Sequence, residues 1–344
     1  MQRAVAEIYR CPYTGEHLRL EGTPESGEIV HGSLVSESGL RFAVTDGIAH
    51  LIRPEKESYS PEEEREKEYY EATARGYDAV IDWLFTSFRE DEQTVRRRMI
   101  DLLEIAPGHR VLETGAGTCR DTVEIARRLG PHGELFVQDL SPHMLSIGRG
   151  RMRDAGLLDG QHGRIEFIIG NATRLPFSDD ALDAAYHFGG FNLFSDKKTA
   201  LREMARVVRP GGKVVVGDEG IAPWRRHTEY GAILMNSNKL YTYEPRLEDL
   251  PENARDGGVR WLLGDAFYVI EFRVGDGPPS IDLDLPIQGN RGGTHRTRYF
   301  GSLEGVTLEA KQMAHEAADA SGLTLHEWLD RAVRTAAAKA AKRS

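Results

Sequence analysis

The sequence predicts an α/β protein built on a parallel sheet, with a small β-rich segment before the sheet and a helical tail after it. Three observations carry this reading. Between residues 101 and 220, short apolar runs alternate with stretches whose apolar residues recur at helical spacing, the pattern of strands joined by crossover helices. Residues 1–53 hold short strand-like runs around turn signals, such as Asp46-Gly47 in FAVTDGIAHLI. Residues 306–344 read as two helices, the second ending in the Ala-rich, helix-prone TAAAKAAKRS.

The chain has 344 residues, 40% of them apolar and 28% charged. That bounds it to two domains, or one large core with appendages. No apolar run approaches the roughly 20 residues that a bilayer crossing needs, so no membrane partner is expected. The formal net charge of −10 disfavours nucleic acid as a partner, because phosphate binding draws on clustered Lys and Arg. Cys11 and Cys119 are the two cysteines; they make no disulfide framework, although a bond between them is not excluded by sequence. With no apolar signal core in MQRAVAEIYR, a reducing, cytoplasmic setting is expected.

The elements follow in order. Residues 1–53 form the β segment and 54–100 a charged helical lid, in which Ser60 is placed to cap and Pro61 opens the helix before a run of acids. The core is expected over 101–305, with an insertion at 221–260, and the helical tail over 306–344. RVLET, ELFVQDLS, IEFIIGNAT, ALDAAYHFGGFN and GGKVVVGDEG are the core strands, the last following the turn Arg209-Pro210-Gly211-Gly212. GNRGGTHRTRYFG, which contains His295, is expected to be the core's final strand.

The chemistry gathers at the strand ends. Glu113-Thr-Gly115-Ala116-Gly117 is a buried strand running into a Gly-rich turn, where glycine lets the backbone bend sharply and approach a ligand. Asp139 ends the next strand, where a carboxylate can accept hydrogen bonds from both hydroxyls of a ribose. A Gly-x-Gly turn also suits nicotinamide or flavin. Here the third glycine of the dinucleotide fingerprint is missing, since its position holds Arg120.

Together, VLETGAGT, QDLSPHML, GNATRLPFSDDALDAAY and LREMARVVRPGGKVVVGDE resemble the class I S-adenosylmethionine-dependent methyltransferases, in the branch that includes the ubiquinone/menaquinone C-methyltransferases. The resemblance implies a Rossmann-like sheet of seven strands with helices on both faces, and S-adenosylmethionine as cofactor with S-adenosylhomocysteine as product. It implies that Glu113, Gly115, Ala116 and Gly117 meet the methionine part of the cofactor and that Asp139 holds the ribose. Leu140 and Met144 would flank the adenine, with Asn171 and Ala172 at its polar edge. His187 would lie near the sulfonium, and Tyr77 would close over the methionine end.

A sulfonium is already an activated methyl donor, so the protein's task is to align the acceptor and exclude water. A base is needed only where the acceptor must lose a proton. His187, Asp218 and Glu219 are the candidates, and the two acids could instead bind a cationic acceptor or simply cap a turn. Tyr70 in the lid, Trp224, Tyr230, Met235 and Asn238 after the fifth strand, and Arg296 are candidate acceptor contacts, although aromatics at such positions more often pack in a core.

The flanks carry weaker resemblances. CPYTGEHLRL with FAVTDGIAHLI resembles a zinc-ribbon-like domain found with some RNA and protein methyltransferases. The paired cysteines a ribbon needs are incomplete, so no metal is expected. The tail faintly resembles the helix pair of ribbon-helix-helix DNA-binding proteins. From residue 303 onward it carries six basic and six acidic residues, which suits dimerisation or covering of a core better than phosphate binding. The favoured expectation is methyl transfer to a small metabolic or natural-product acceptor, by an enzyme with a homodimer as one arrangement. An RNA or peptide methyltransferase, and a cofactor-sensing regulator with a DNA-binding tail, are the alternatives. Arsenic methylation is excluded by the shortage of cysteines.

Overall fold

The computed structural model describes residues 7–24, 28–53, 55, 57, 61–300 and 306–342, with some side chains between 61 and 75 left undescribed. The chain forms two compact units, residues 1–278 and 279–344.

The first unit is organised around one sheet of eleven strands. Its centre is built from β5 (Arg110–Thr114), β6 (Glu134–Asp139), β7 (Arg164–Ile169), β8 (Leu182–Phe188) and β9 (Val208–Glu219), all parallel. An antiparallel hairpin, β10 (Ala254–Leu262) and β11 (Phe267–Val274), completes one side, with β11 beside β9. The order β7-β6-β5-β8-β9-β11-β10 is the seven-stranded sheet that the resemblance implies. The chain leaves β5 in one direction and returns to its other side at β8, so the topology switches between them, where open α/β sheets bind ligands.

The N-terminal strands β1 (Leu18–Gly22), β2 (Gly32–Ser36), β3 (Arg41–Thr45) and β4 (Ile48–His50) form an antiparallel ribbon. β4 pairs in parallel with β7, so the ribbon extends the central sheet. Tyr9 bridges to Phe177, and those two rings pack with Phe136 at 5.0–6.2 Å between centroids. Among the described residues no group of three potential metal ligands comes together, and Cys11 and Cys119 are each free and buried.

Alternation along the strands divides the apolar residues between two faces. Leu112, Phe136, Ala185, Val214 and Val216 face the ribbon and helix α5 (Lys197–Val207). Val111, Leu135, Val137, Tyr186 and Val215 face the other layer. That layer includes α1 (Pro61–Phe88), α2 (Glu92–Asp101), α3 (Arg120–Leu129) and α4 (Pro142–Asp154). The lid helix starts at Pro61, as its sequence signals. Ser60 lies outside the described residues.

Two expectations change. The turn expected at Arg209–Gly212 lies inside β9, where the pairing with β8 jumps from Leu182↔Val208 to Ala184↔Lys213; the Pro-Gly-Gly residues bulge while the strand continues. GNRGGTHRTRYFG is not a strand. Within the second unit, His295–Phe300 is a helix, α7, followed by α8 (Leu308–Ala320) and α9 (Leu325–Ala341). The glycines before Thr294 take positive φ at Gly292 and Gly293, which breaks an extended run. No helix among the described residues is long and apolar enough to cross a membrane.

Candidate active site

The carboxyl ends of β5, β6, β7 and β8 open into a cavity of about 490 Å³, within the range of small-molecule sites. Tyr77, Glu113, Gly115, Ala116, Gly117, Asp139, Leu140, Met144, Asn171, Ala172 and His187 all line it. The structure therefore brings together every residue expected on the cofactor side.

Asp139 ties the site's two loops. Its Oδ2 accepts the Gly117 N–H at 2.7 Å and its Oδ1 the Ser141 N–H at 2.8 Å. Ser141 in turn caps α4 through the Met144 N–H. Gly115 is required sterically: at φ +62°, an added Cβ would sit 2.6 Å from Cε1 of His187. The backbone turns directly against the imidazole.

His187 is only 1% exposed. Register pairs it with Thr114, whose carbonyl lies 2.9 Å from Nδ1. Nδ1 therefore carries the proton, which leaves Nε2 as a lone pair, buried and without a partner. Burial holds the imidazole below its ordinary pKa, against the opposing pull of Asp218, so the ring is neutral near pH 7.

Glu113 is buried, and its Oε2 has no partner. Burial raises its pKa well above the ordinary value, and Asp121 adds to the rise. The side-chain amide of Gln138, also in the wall, is likewise unpartnered. Buried polar atoms are normally satisfied. These orphans, acceptors apart from the Gln138 NH2, fit a polar ligand that brings donors and an acceptor of its own, as the amino group, hydroxyls and carboxylate of S-adenosylmethionine would.

The candidate bases separate. Glu219 lines the cavity, and burial together with neighbouring Asp218 raises its pKa well above the ordinary value, which favours the protonated acid. Asp218 is fully buried outside the wall. Its carboxylate accepts the backbone N–H groups of Asn192 and Glu219, so its oxygens serve the fold.

The residues expected to contact the acceptor are not gathered here. Trp224 is 59% and Tyr230 38% exposed, and neither lines the cavity. Tyr230 instead donates to the Gly264 carbonyl at 2.7 Å. Met235 packs on the core from α6 (Glu229–Ser237), and Asn238 caps the next turn through the Leu240 N–H. Arg296 belongs to the second unit, where it pairs with Asp284 at 2.9 Å. The side chain of Tyr70 lies outside the described residues. The apolar wall comes from Ile81, Leu84, Phe85, Phe188, Leu193, Phe194, Leu263 and Phe267. Phe267 and Leu263 had no signal, because a strand residue and a turn residue reach the site only through the β10–β11 hairpin.

Arg120, standing where a dinucleotide cradle would have its third glycine, has a structural task. Its guanidinium pairs with Asp78 at 3.0 Å, with Glu92 at 2.6 Å and with Asp82. Burial opposes ionisation of Glu92, yet Arg120 and Arg96 hold its pKa down at about 2. Asp78 also accepts the Thr118 hydroxyl and pairs with Arg151. The network latches the lid helix to the glycine turn, next to Tyr77.

Fold and cavity are those of a Rossmann-like α/β sheet with a ligand-sized site at its topological switch point. Residues 59–220 match the model of the ubiE/COQ5 methyltransferase family. The chain is similar to the ubiquinone/menaquinone biosynthesis C-methyltransferase UbiE of Pasteurella multocida, at 33% identity over 43% of this chain and 52% of that protein. It is equally similar to the enzyme of the same name from Ectopseudomonas mendocina, at 33% over 46% of this chain and 59% of that one. The chain thus spans between half and three fifths of the length of these relatives. Among solved structures, an S-adenosyl-L-methionine-dependent methyltransferase from Methanococcus maripaludis superposes with a TM-score of 0.46 and 19% identity, covering 65% of this chain and 99% of that one.

Proposed function

We propose that this protein transfers a methyl group from S-adenosylmethionine to a small, largely apolar acceptor. The observation that carries the reading is the pair of buried, unpartnered atoms flanking the glycine turn, Glu113 Oε2 and His187 Nε2, at the switch point of the sheet. The cofactor supplies an activated methyl group when bound. Glu113 pairs with its cationic amino group, Asp139 accepts from the ribose hydroxyls, and Leu140, Met144 and Ala172 enclose the adenine. Tyr77, held by the Arg120 latch, covers the methionine end.

The other half of the cavity is walled by Phe85, Phe188, Phe194 and Phe267, which favours a planar, apolar acceptor in keeping with the quinone biosynthesis named for the relatives. His187, neutral and with a free lone pair, takes a proton from the acceptor where one must leave. Glu219, protonated, donates a hydrogen bond to an acceptor oxygen.

Incubation with methyl-labelled S-adenosylmethionine and a panel of small phenols and hydroxyquinones tests this. Label extracted into organic solvent is the expected result. Label found only in added RNA, or failure of the native protein to bind S-adenosylhomocysteine by calorimetry, overturns the reading.

A further inference from the structure

One residue of the cavity wall has no part in the roles assigned above. Glu57 lies between β4 and α1, just ahead of the family-matched segment 59–220, and its side chain is 3% exposed. Its Oε1 accepts the Tyr13 hydroxyl at 2.5 Å and faces Arg174 Nη1 at 3.5 Å. Its Oε2 accepts Nδ2 of Asn171 at 2.8 Å.

The orientation of that amide follows from its other end. Oδ1 of Asn171 accepts both the N–H and the hydroxyl of Thr173, at 2.9 and 2.8 Å, so the NH2 group faces Glu57. The oxygen of Asn171 is therefore already engaged twice. A carboxylate has about four lone-pair sites and only accepts, so Glu57 retains capacity for a further donor on the cavity side.

Tyr13 connects this carboxylate to the N-terminal ribbon. Its ring stacks on Phe42 of β3 with centroids 6.1 Å apart, and its oxygen accepts the Arg53 N–H at 2.8 Å. Burial and the Glu57 hydrogen bond push its phenol up, so it stays an O–H donor to Glu57. Arg174, 5.4 Å from the centre of the Tyr13 ring, closes the group.

We propose that Glu57 accepts the exocyclic amine of the cofactor's adenine, and that Tyr13 is the residue that positions it. On this inference, which rests on the S-adenosylmethionine reading of the cavity, the N-terminal ribbon completes the cofactor site. Adenine is distinguished from a deaminated base by that one carboxylate.

Calorimetry on the full-length protein, with S-adenosylhomocysteine and with its deaminated analogue S-inosylhomocysteine, tests the inference. The native protein is expected to prefer the adenine ligand by about ten- to a hundredfold, the worth of a charge-assisted hydrogen bond. Glu57→Gln, whose amide accepts and donates, should narrow that ratio to within about threefold. Tyr13→Phe should narrow it partway while leaving the glycine turn intact. A native protein that binds both ligands equally, or a Glu57→Gln variant that discriminates as the native does, overturns the proposal. Should Glu57→Gln fail to fold, native-like discrimination in Tyr13→Phe overturns it instead. Failure of the native protein to bind either ligand defeats the cofactor reading itself, and is thereby distinct from failure of the Glu57 assignment.

Discussion

The wall made by β5, β6 and β8 and the segment that follows β9 both carry residues of the kinds that bind ligands, but they are built differently. In the wall, each candidate site atom sits at a strand end fixed by its neighbours' register. Thr114 stands opposite His187, and Asp139 gathers the Gly117 and Ser141 amides. In residues 223–245, Trp224 and Tyr230 find partners among nearby turns, Asp265 and the Gly264 carbonyl, and stay at the surface. The lesson is that a binding residue is made by preorganisation more than by its type.

Removing the knot of the wall should have the largest effect. In Asp139→Ala two backbone amides lose their acceptor, and on the proposed reading the ribose loses its own. Affinity for S-adenosylhomocysteine should fall by about a hundredfold or more by calorimetry. Next comes Gly115→Ala, which forces a side chain onto a left-handed residue and into the His187 ring. It should cost about 1–3 kcal/mol in denaturant unfolding and displace the imidazole. Native-like affinity and stability in both variants would erase the contrast between wall and surface.

The latch sharpens the comparison, because it joins helix α1 to the wall through charge. Arg120→Met leaves Asp78, Asp82 and Glu92 without their shared cation. A loss of about 2 kcal/mol is expected, together with faster amide exchange in α1 than in β5. Equal exchange in the two elements would show that packing, not charge, holds the lid.

Glu219 supplies a pH-dependent test. Unfolded, its carboxyl ionises near the ordinary value of 4.5; folded, burial and Asp218 keep the proton on to higher pH. The native state then binds more protons than the unfolded one, so this residue's contribution to stability falls as pH rises past that value. Glu219→Gln should therefore gain stability relative to the native protein as pH rises above the ordinary carboxyl value of 4.5. A gap that stays constant with pH would mean that the carboxyl is ionised in the fold.

The core was legible for a physical reason. Parallel strands buried on both faces are near-continuous apolar runs, and the acid or glycine that ends each run marks the ligand side. Glu113, Gly115 and Asp139 stand out as an acid before a glycine turn, the turn itself and an acid ending the next strand, and the family resemblance implies their roles. Phe267, Leu263 and Glu57 do not, because long-range pairing brings them to the cavity: β11 through its hairpin, and Glu57 through the ribbon. The expected strand around His295 failed because Gly292 and Gly293 take positive φ and the chain turns there into the short helix His295–Phe300. The N-terminal strands were readable one by one. Their continuation of the central sheet depends on the β4–β7 pairing, which no local pattern encodes.

The smallest effect should come from the aromatic surface after β9. Trp224 contacts Trp261 ring to ring at 5.9 Å and reaches Asp265 at 3.3 Å, yet it remains mostly exposed. Truncating it removes an edge contact that solvent replaces, so Trp224→Ala should change stability by about 0.5 kcal/mol or less. Its affinity for S-adenosylhomocysteine should stay native. Phe267→Ala is the paired measurement, since that ring is buried among Phe88, Phe188 and Tyr241 at 5.9–6.0 Å and its loss should cost about 3–5 kcal/mol. If Trp224→Ala instead weakened methyl transfer while sparing cofactor affinity, the acceptor would extend out of the cavity and over this surface. The division between a preorganised wall and an idle aromatic face would then have to be redrawn.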